Sequence, residues 1–210
     1  FTYTRNKPEE DPLMVQVSAK EAGNLLSGFF KAAGKDFEED DKKIFGSPFA
    51  QFIKGTFELR HSRILSKRFT LASRFFAGAI WSYGNSTRAP YSEQFFVGGA
   101  NSIRGFTVRS IGPGSYRSSS AEYAYIDQTG DIKLEANTEL RAHLFGALYG
   151  AVFLDAGNVW LMKEDPQRPG SALNGKTIKN IALGTGIGLR YDLSFLVLRF
   201  DVGIGLHAPY

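Results

Sequence analysis

Ile132-Lys133-Leu134-Glu135-Ala136-Asn137-Thr138-Glu139-Leu140-Arg141-Ala142-His143-Leu144-Phe145 alternates between apolar and polar residues with almost no break. Successive side chains of an extended strand point to opposite faces. Ile132, Leu134, Ala136, Thr138, Leu140, Ala142 and Leu144 therefore share one face, and Lys133, Glu135, Asn137, Glu139, Arg141 and His143 the other. A helix would smear both sets around its circumference, so the stretch predicts a long strand with one apolar and one charged side.

The same period recurs on both sides of it. Leu196, Leu198, Phe200, Val202, Ile204 and Leu206 alternate with Arg199, Asp201, Gly203 and Gly205. Just upstream, Ile181, Leu183, Ile187, Leu189 and Tyr191 alternate with Ala182, Gly184, Gly186, Gly188, Arg190 and Asp192. Only Leu193 and Ser194 lie near the junction, which predicts a tight hairpin. Further strands are expected over 149–160, 69–83 and 51–62, with weaker candidates at 1–6 and 13–20. The total is about eight strands of roughly 8–15 residues, against about 5–6 for strands of soluble proteins. Strands that cross a bilayer at a tilt need about 9–11 residues.

The connections are uneven. Ser66-Lys67 and Gly146 mark short turns, whereas 84–131 and 162–177 are long. Short turns on one rim and long loops on the other form the pattern of an outer-membrane barrel. The longest apolar run, 144–154, is too short for a membrane helix, which needs about 20 residues. If the chain crosses a membrane, it does so as a barrel. The fold expected is all-β, an antiparallel transmembrane β-barrel.

Composition agrees. The chain is 43% hydrophobic and 14% aromatic, which argues against disorder. Its net charge of +4 is spread along the sequence without a basic stripe, so no nucleic-acid partner is expected. It has no Cys, hence no disulfide framework and no Cys metal site. His61, His143 and His207 lack metal-ligand spacing, and no nucleophile elbow or phosphate loop occurs. Gly184-Thr185-Gly186-Ile187-Gly188 sits inside an alternating strand, where it marks a flat, crowded or bent face rather than a nucleotide site. Glu135 and Glu139 share their face with Lys133 and Arg141, as in a hydrated charged wall. No enzyme activity, metal or cofactor is expected. Residues 22–33 predict a short amphipathic helix with Leu25, Leu26, Phe29 and Phe30 on one side. The acidic cluster Asp36-Phe37-Glu38-Glu39-Asp40-Asp41 after it reads as a solvated loop and matches no calcium-loop spacing.

The most informative loop stretch is Phe95-Phe96-Val97-Gly98-Gly99-Ala100-Asn101-Ser102-Ile103-Arg104-Gly105-Phe106, in the longest connection. Gly98, Gly99 and Gly105 open backbone conformations closed to other residues. Between them one arginine stands between apolar Ile103 and Phe106, and such an arginine needs a carboxylate partner. Ile103-Arg104-Gly105-Phe106 resembles the Val-Arg-Gly-Phe/Tyr signature of the BamA and TamA assembly factors, the bacterial surface antigen superfamily. Phe153-Leu154-Asp155-Ala156-Gly157 resembles that family's Phe-x-Asp-x-Gly strand. Asn137-Thr138-Glu139-Leu140-Arg141 resembles the preceding strand, with its inward Glu.

The resemblance implies that residues 1–210 are the C-terminal part of a 16-stranded barrel. Its other half, its final strand and periplasmic POTRA domains would lie outside this sequence. It implies that the 84–131 loop folds into the lumen and that Arg104 pairs there with Glu139 and Asp155. The phase of Asp155 is ambiguous, because Tyr149, Ala151, Phe153 and Gly157 share its face. The implied function is insertion of proteins into the bacterial outer membrane. The expected partners are nascent outer-membrane proteins, outer-membrane lipids, and periplasmic chaperones or assembly lipoproteins. Two alternatives stay open: a translocation pore of the two-partner secretion type or a porin, and a soluble β-sandwich or lipocalin-like binder.

Overall fold

The computed structural model describes residues 1–5, 11–37, 39, 42–117 and 128–210. In chain order the elements are β1 (Thr2–Arg5), β2 (Leu13–Ala22), helix α1 (Asn24–Ala32), β3 (Lys43–Ile44), β4 (Ser47–Pro48), β5 (Phe52–Ile64), β6 (Phe69–Ser82), β7 (Ile132–Phe145), β8 (Leu148–Trp160), a 3-10 turn (Thr177–Lys179), β9 (Ala182–Asp192) and β10 (Val197–His207). Eight strands form one sheet in the order β1-β2-β5-β6-β7-β8-β9-β10, each antiparallel to its neighbours, while β3 and β4 make a separate small hairpin. This is an up-and-down meander with no crossover. The strand boundaries fall within a few residues of those expected from the alternation. The β3–β4 hairpin was not expected, because two-residue strands carry no period to read.

Register fixes the two faces. Phe75 pairs with Ala136, Leu140 with Val152, and Val152 with Ile187. Paired residues lie on the same side, so the apolar rows of successive strands merge into one band. That band stays exposed: Phe57, Phe75, Leu140, Val152, Ile187, Phe200, Val202 and Ile204 all remain on the surface. A soluble protein does not leave so large a continuous apolar surface uncovered. The opposite face carries Glu58, Arg74, Glu135, Glu139, Asp155, Arg190 and Asp201, and the protein's buried core forms there, under the long connections. Phe52, Ile80, Ala89, Phe95, Val97, Ile103, Ile111, Val159 and Ala182 make up that core.

No helix among the described residues is long and apolar enough to cross a membrane. This gives a direct expectation. Val202, 70% exposed in the middle of β10, lies on this exposed apolar band. Val202→Arg is expected to destabilise folding into vesicles by about 2–4 kcal/mol if the site lies at the bilayer midplane. Equilibrium urea titration of the full-length protein checks it.

The long connections brace one another at the rim. Asp165, in the connection after β8, accepts hydrogen bonds from Arg88 Nη2 (2.9 Å), Arg168 Nε (2.9 Å) and Gln167 N–H (3.0 Å). Burial pushes its carboxyl up, but the hydrogen bonds from Arg168 and Gln167, with the charges of Arg168 and Arg88, outweigh it and hold the pKa below the ordinary value. A lowered folded pKa means stability that is present above the unfolded pKa and lost as pH falls through the folded one. The Arg88 link is thus expected to be intact at neutral pH and to loosen in acid below the usual aspartate range. Asp165→Asn should show the same loosening at neutral pH, read as faster protease cleavage between β8 and β9.

Candidate functional site

The site begins with glycines. Gly98 and Gly99 have φ of 94° and 90°, a region disfavoured for residues with a Cβ. They fold the chain back on itself: Gly99 N–H donates to Phe106 O at 2.9 Å, and Arg109 N–H donates to Val97 O at 2.9 Å. A Cβ on Gly98 would lie 2.2 Å from Thr107 O. The closed loop buries Val97, Ile103 and Ile111 completely against the core. Arg104 is thereby aimed at the charged face of the sheet.

There it meets two strands at once. Arg104 Nε donates to Asp155 Oδ2 at 2.7 Å and Nη2 to Asp155 Oδ1 at 2.8 Å, a bidentate pairing on β8. The Arg104 backbone N–H adds a third bond to Asp155 Oδ2 at 3.0 Å. Nη1 donates to the Glu139 carboxylate on β7. The Phe153 ring lies beneath the guanidinium, its centroid 3.5 Å from Cζ. Arg104 is only 7% exposed and Asp155 fully buried. Burial works to lower the Arg104 pKa, but the bonds to Asp155 and Glu139 raise it above its usual value, so the guanidinium stays charged.

A wider network surrounds this contact. Arg190 on β9 links Glu139 (Nη2, 2.8 Å) to Asp201 on β10 (Nη1, 2.5 Å). Arg141 Nε binds Glu139 at 2.8 Å, and Arg199 Nε binds Asp201 at 2.6 Å. Asn137 Nδ2 donates to both Ser102 O (2.8 Å) and Asp155 Oδ1 (3.0 Å), and Ser102 Oγ bonds Glu135. The arrangement holds four strands, β7 to β10, and one loop in a single ionic lattice.

The loop backbone lies on a bed of glycines. A Cβ on Gly184 would sit 2.8 Å from Arg104 O, one on Gly203 would sit 2.8 Å from Gly105 N, and one on Gly205 would sit 2.6 Å from the Phe106 ring. Reciprocally, a Cβ on Gly105 (φ 105°) would lie 2.5 Å from the Ile204 carbonyl carbon. Of the glycines in β9 whose face was expected to be flat, crowded or bent, Gly184 is crowded by the docked loop, Gly186 by Val202 O and the Phe153 ring, and Gly188 by Asp201 and Arg190.

The structure therefore brings Arg104, Glu139 and Asp155 together, with Gly98, Gly99, Ile103, Gly105 and Phe106 shaping the loop that carries the arginine. Asp155 shares its face with Phe153, which resolves its ambiguous phase: Phe153 belongs to the charged side because it supports the guanidinium. Sequence reading missed the parts played by Ser102, Asn137, Arg190 and Asp201. Arg190 and Asp201 were visible on polar faces, but only the register shows that they converge on Glu139. Residues Asp36, Phe37 and Glu39 of the acidic cluster are described, whereas Glu38, Asp40 and Asp41 lie outside the described residues.

An exposed apolar band, a charged opposite face and a loop ionically anchored on that face are the features of a transmembrane β-barrel wall. The chain belongs to the Omp85 superfamily, whose domain matches residues 43–209. It is 32% identical over 145 residues to outer membrane protein assembly factor BamA of Neisseria meningitidis serogroup B, covering 66% of this chain and 17% of that protein. It is also 32% identical over 166 residues to sorting and assembly machinery component 50 homolog A of Xenopus laevis, covering 75% of this chain and 34% of that one. The human homolog of that component matches over 114 residues at 32% identity, covering 51% of this chain and 23% of the human protein. The crystal structure of BamA from Haemophilus ducreyi lacking POTRA domains 1–3 superposes with a TM-score of 0.64 at 16% identity, covering 98% of this chain and 38% of that one. That likeness establishes a shared fold. The chain thus spans well under half the length of each of these relatives.

Proposed function

We propose that this chain forms part of the barrel of an outer-membrane protein assembly factor, and that it inserts nascent outer-membrane proteins without enzymatic chemistry. In this reading the 84–131 connection, of which 118–127 lie outside the described residues, enters the barrel lumen through its Arg104 loop, and that loop is a strut that fixes β7, β8, β9 and β10 as one plate. The observation that carries it is the bidentate Arg104–Asp155 pair, buried on the charged face of a membrane-exposed sheet. A rigid plate confines deformation to other parts of the barrel. A protein that offers a strand edge to an incoming hairpin needs that separation between a firm wall and a yielding seam. Outer-membrane lipids are the medium of the reaction, and periplasmic chaperones or assembly lipoproteins are the partners that would deliver clients.

The test is reconstitution of the full-length protein in proteoliposomes. Urea-denatured client barrel added from outside should fold faster than into empty vesicles, read by its heat-dependent gel mobility. No acceleration, together with a steady ion conductance in planar bilayers, would favour the pore reading instead.

A further inference from the structure

Helix α1 is turned inside out for a helix facing water. Its uncharged polar residues, Asn24 and Ser27, point into the protein. Ser27 is fully buried and donates to Gln51 Oε1 at 2.7 Å. Asn24 Oδ1 accepts the Tyr83 hydroxyl proton at 2.6 Å. Its apolar residues point away: Leu25 and Phe29 are 77% and 73% exposed, and Leu26 is exposed beside them. At about 100° per residue, Leu25, Leu26, Gly28, Phe29 and Ala32 fill the outer half of the wheel with no charge among them. A surface helix of a soluble protein places these two faces the other way round.

Its location says what covers that face. Gln51 and Tyr83 stand one residue beyond β5 and β6, and the Tyr83 N–H bonds the Gln51 carbonyl across the rim. Two residues inward, Ile53 and Trp81 are cross-strand partners on the exposed apolar band, where an aromatic residue marks the interfacial girdle. By that alternation α1 hangs on the lipid side of the rim. Its outer half prolongs the lipid-facing band past the strand ends.

We propose that α1 is an interfacial membrane foot. It lies in the plane of the leaflet at the long-connection rim, with Leu25, Leu26 and Phe29 sunk into the boundary between headgroups and acyl chains. Lys31, in the last turn, sits at the edge of the apolar half and reaches toward the headgroups. The occupant is lipid, because the surface that the helix continues is itself covered by lipid.

The inference rests on the apolar sheet face being membrane-facing, so that reading has its own probe. The full-length protein carries a single environment-sensitive nitrobenzoxadiazole label, in turn at Leu25→Cys, Phe29→Cys, Val202→Cys and Gly175→Cys. Each is folded into phosphatidylcholine vesicles containing lipid spin-labelled either near the headgroup or near the chain end. Only the heat-modifiable, folded fraction is read. Labels at 25 and 29 should emit to the blue of the label at the exposed loop residue Gly175 and be quenched more by the shallow spin label. The label at 202 should be quenched more by the deep one. Emission at 25 and 29 like that at 175, with 202 still quenched, would overturn the foot and leave the barrel standing. Blue emission at 25 and 29 that neither lipid quenches would overturn it in favour of a protein cover. Failure of quenching at 202 would remove the membrane reading and the foot with it.

Discussion

Replacing Arg104 by alanine in the full-length protein is expected to destabilise the folded barrel by about 3–5 kcal/mol, the usual cost of removing one partner from a buried ion pair. The carboxylates suffer unequally. Glu139 keeps Arg190 and Arg141. Asp155 loses both guanidinium bonds and is left, fully buried, with Asn137 and the backbone N–H of residue 104. Most of the loss is therefore the uncompensated charge of Asp155. Glu139→Gln should cost less than Asp155→Ala, because Arg104 would still be held in its bidentate grip. Arg104→Lys keeps the charge but not the planar fork, and should fall between wild type and Arg104→Ala. The temperature at which the folded gel band disappears orders the variants. Client outer-membrane proteins should be depleted in the same order in cells that depend on the variant.

Gly203→Val is expected to have a comparable effect by a different route. The new Cβ would lie 2.8 Å from Gly105 N and 3.0 Å from the Arg104 carbonyl atoms, all backbone, with no side chain free to swing aside. Overpacking in a close-packed site typically costs about 1–3 kcal/mol when neighbours can adjust. Here the adjustment available is release of the loop, which forfeits the Arg104 contacts as well. Gly205→Ala should be milder, since it meets the Phe106 ring rather than backbone. Gly55→Val is the control: a Cβ there meets nothing within 4 Å. Trypsin should cut after residue 104 in the Gly203→Val protein and leave wild type and Gly55→Val intact at that bond. Equal resistance in all three would show that the glycine face is not a bed for the loop.

The sheet was legible from sequence because its two solvents differ. One face meets lipid and the other charge and water, so the period of two is written into every long strand from β5 to β10. Where a third environment intrudes, the pattern breaks. On the charged side of β8, Phe153 packs under Arg104 and Ala151 is buried, and their apolar character obscured the phase of Asp155. The alternating glycines of β9 were readable as a flat, crowded or bent face, but not as crowding by a particular segment, since contact between residues 104 and 184 has no local signature. The lock was legible only through resemblance to a family motif. A lone arginine between Ile103 and Phe106 calls for an acid without saying which. Helix α1 was expected to group Phe30 with Leu25, Leu26 and Phe29. Instead Phe30 turns inward and stacks on Phe49, with centroids 6.0 Å apart. The spacing of apolar residues gives a helix its stripe, but which neighbour claims one edge of that stripe is settled by the fold.

The coupling between residues 104 and 155 is the quantity that decides the account. It comes from urea unfolding of full-length wild type, Arg104→Ala, Asp155→Ala and the double variant in one lipid system. If the loop is clamped by this pair, the double variant should be no less stable than the worse single variant, so the coupling should be at least as large as the smaller single loss and lie at the upper end of the range for contacting residues, about 3 kcal/mol. Strictly additive losses, or two silent single variants, would mean that the guanidinium and the wall carboxylate do not hold each other in the membrane.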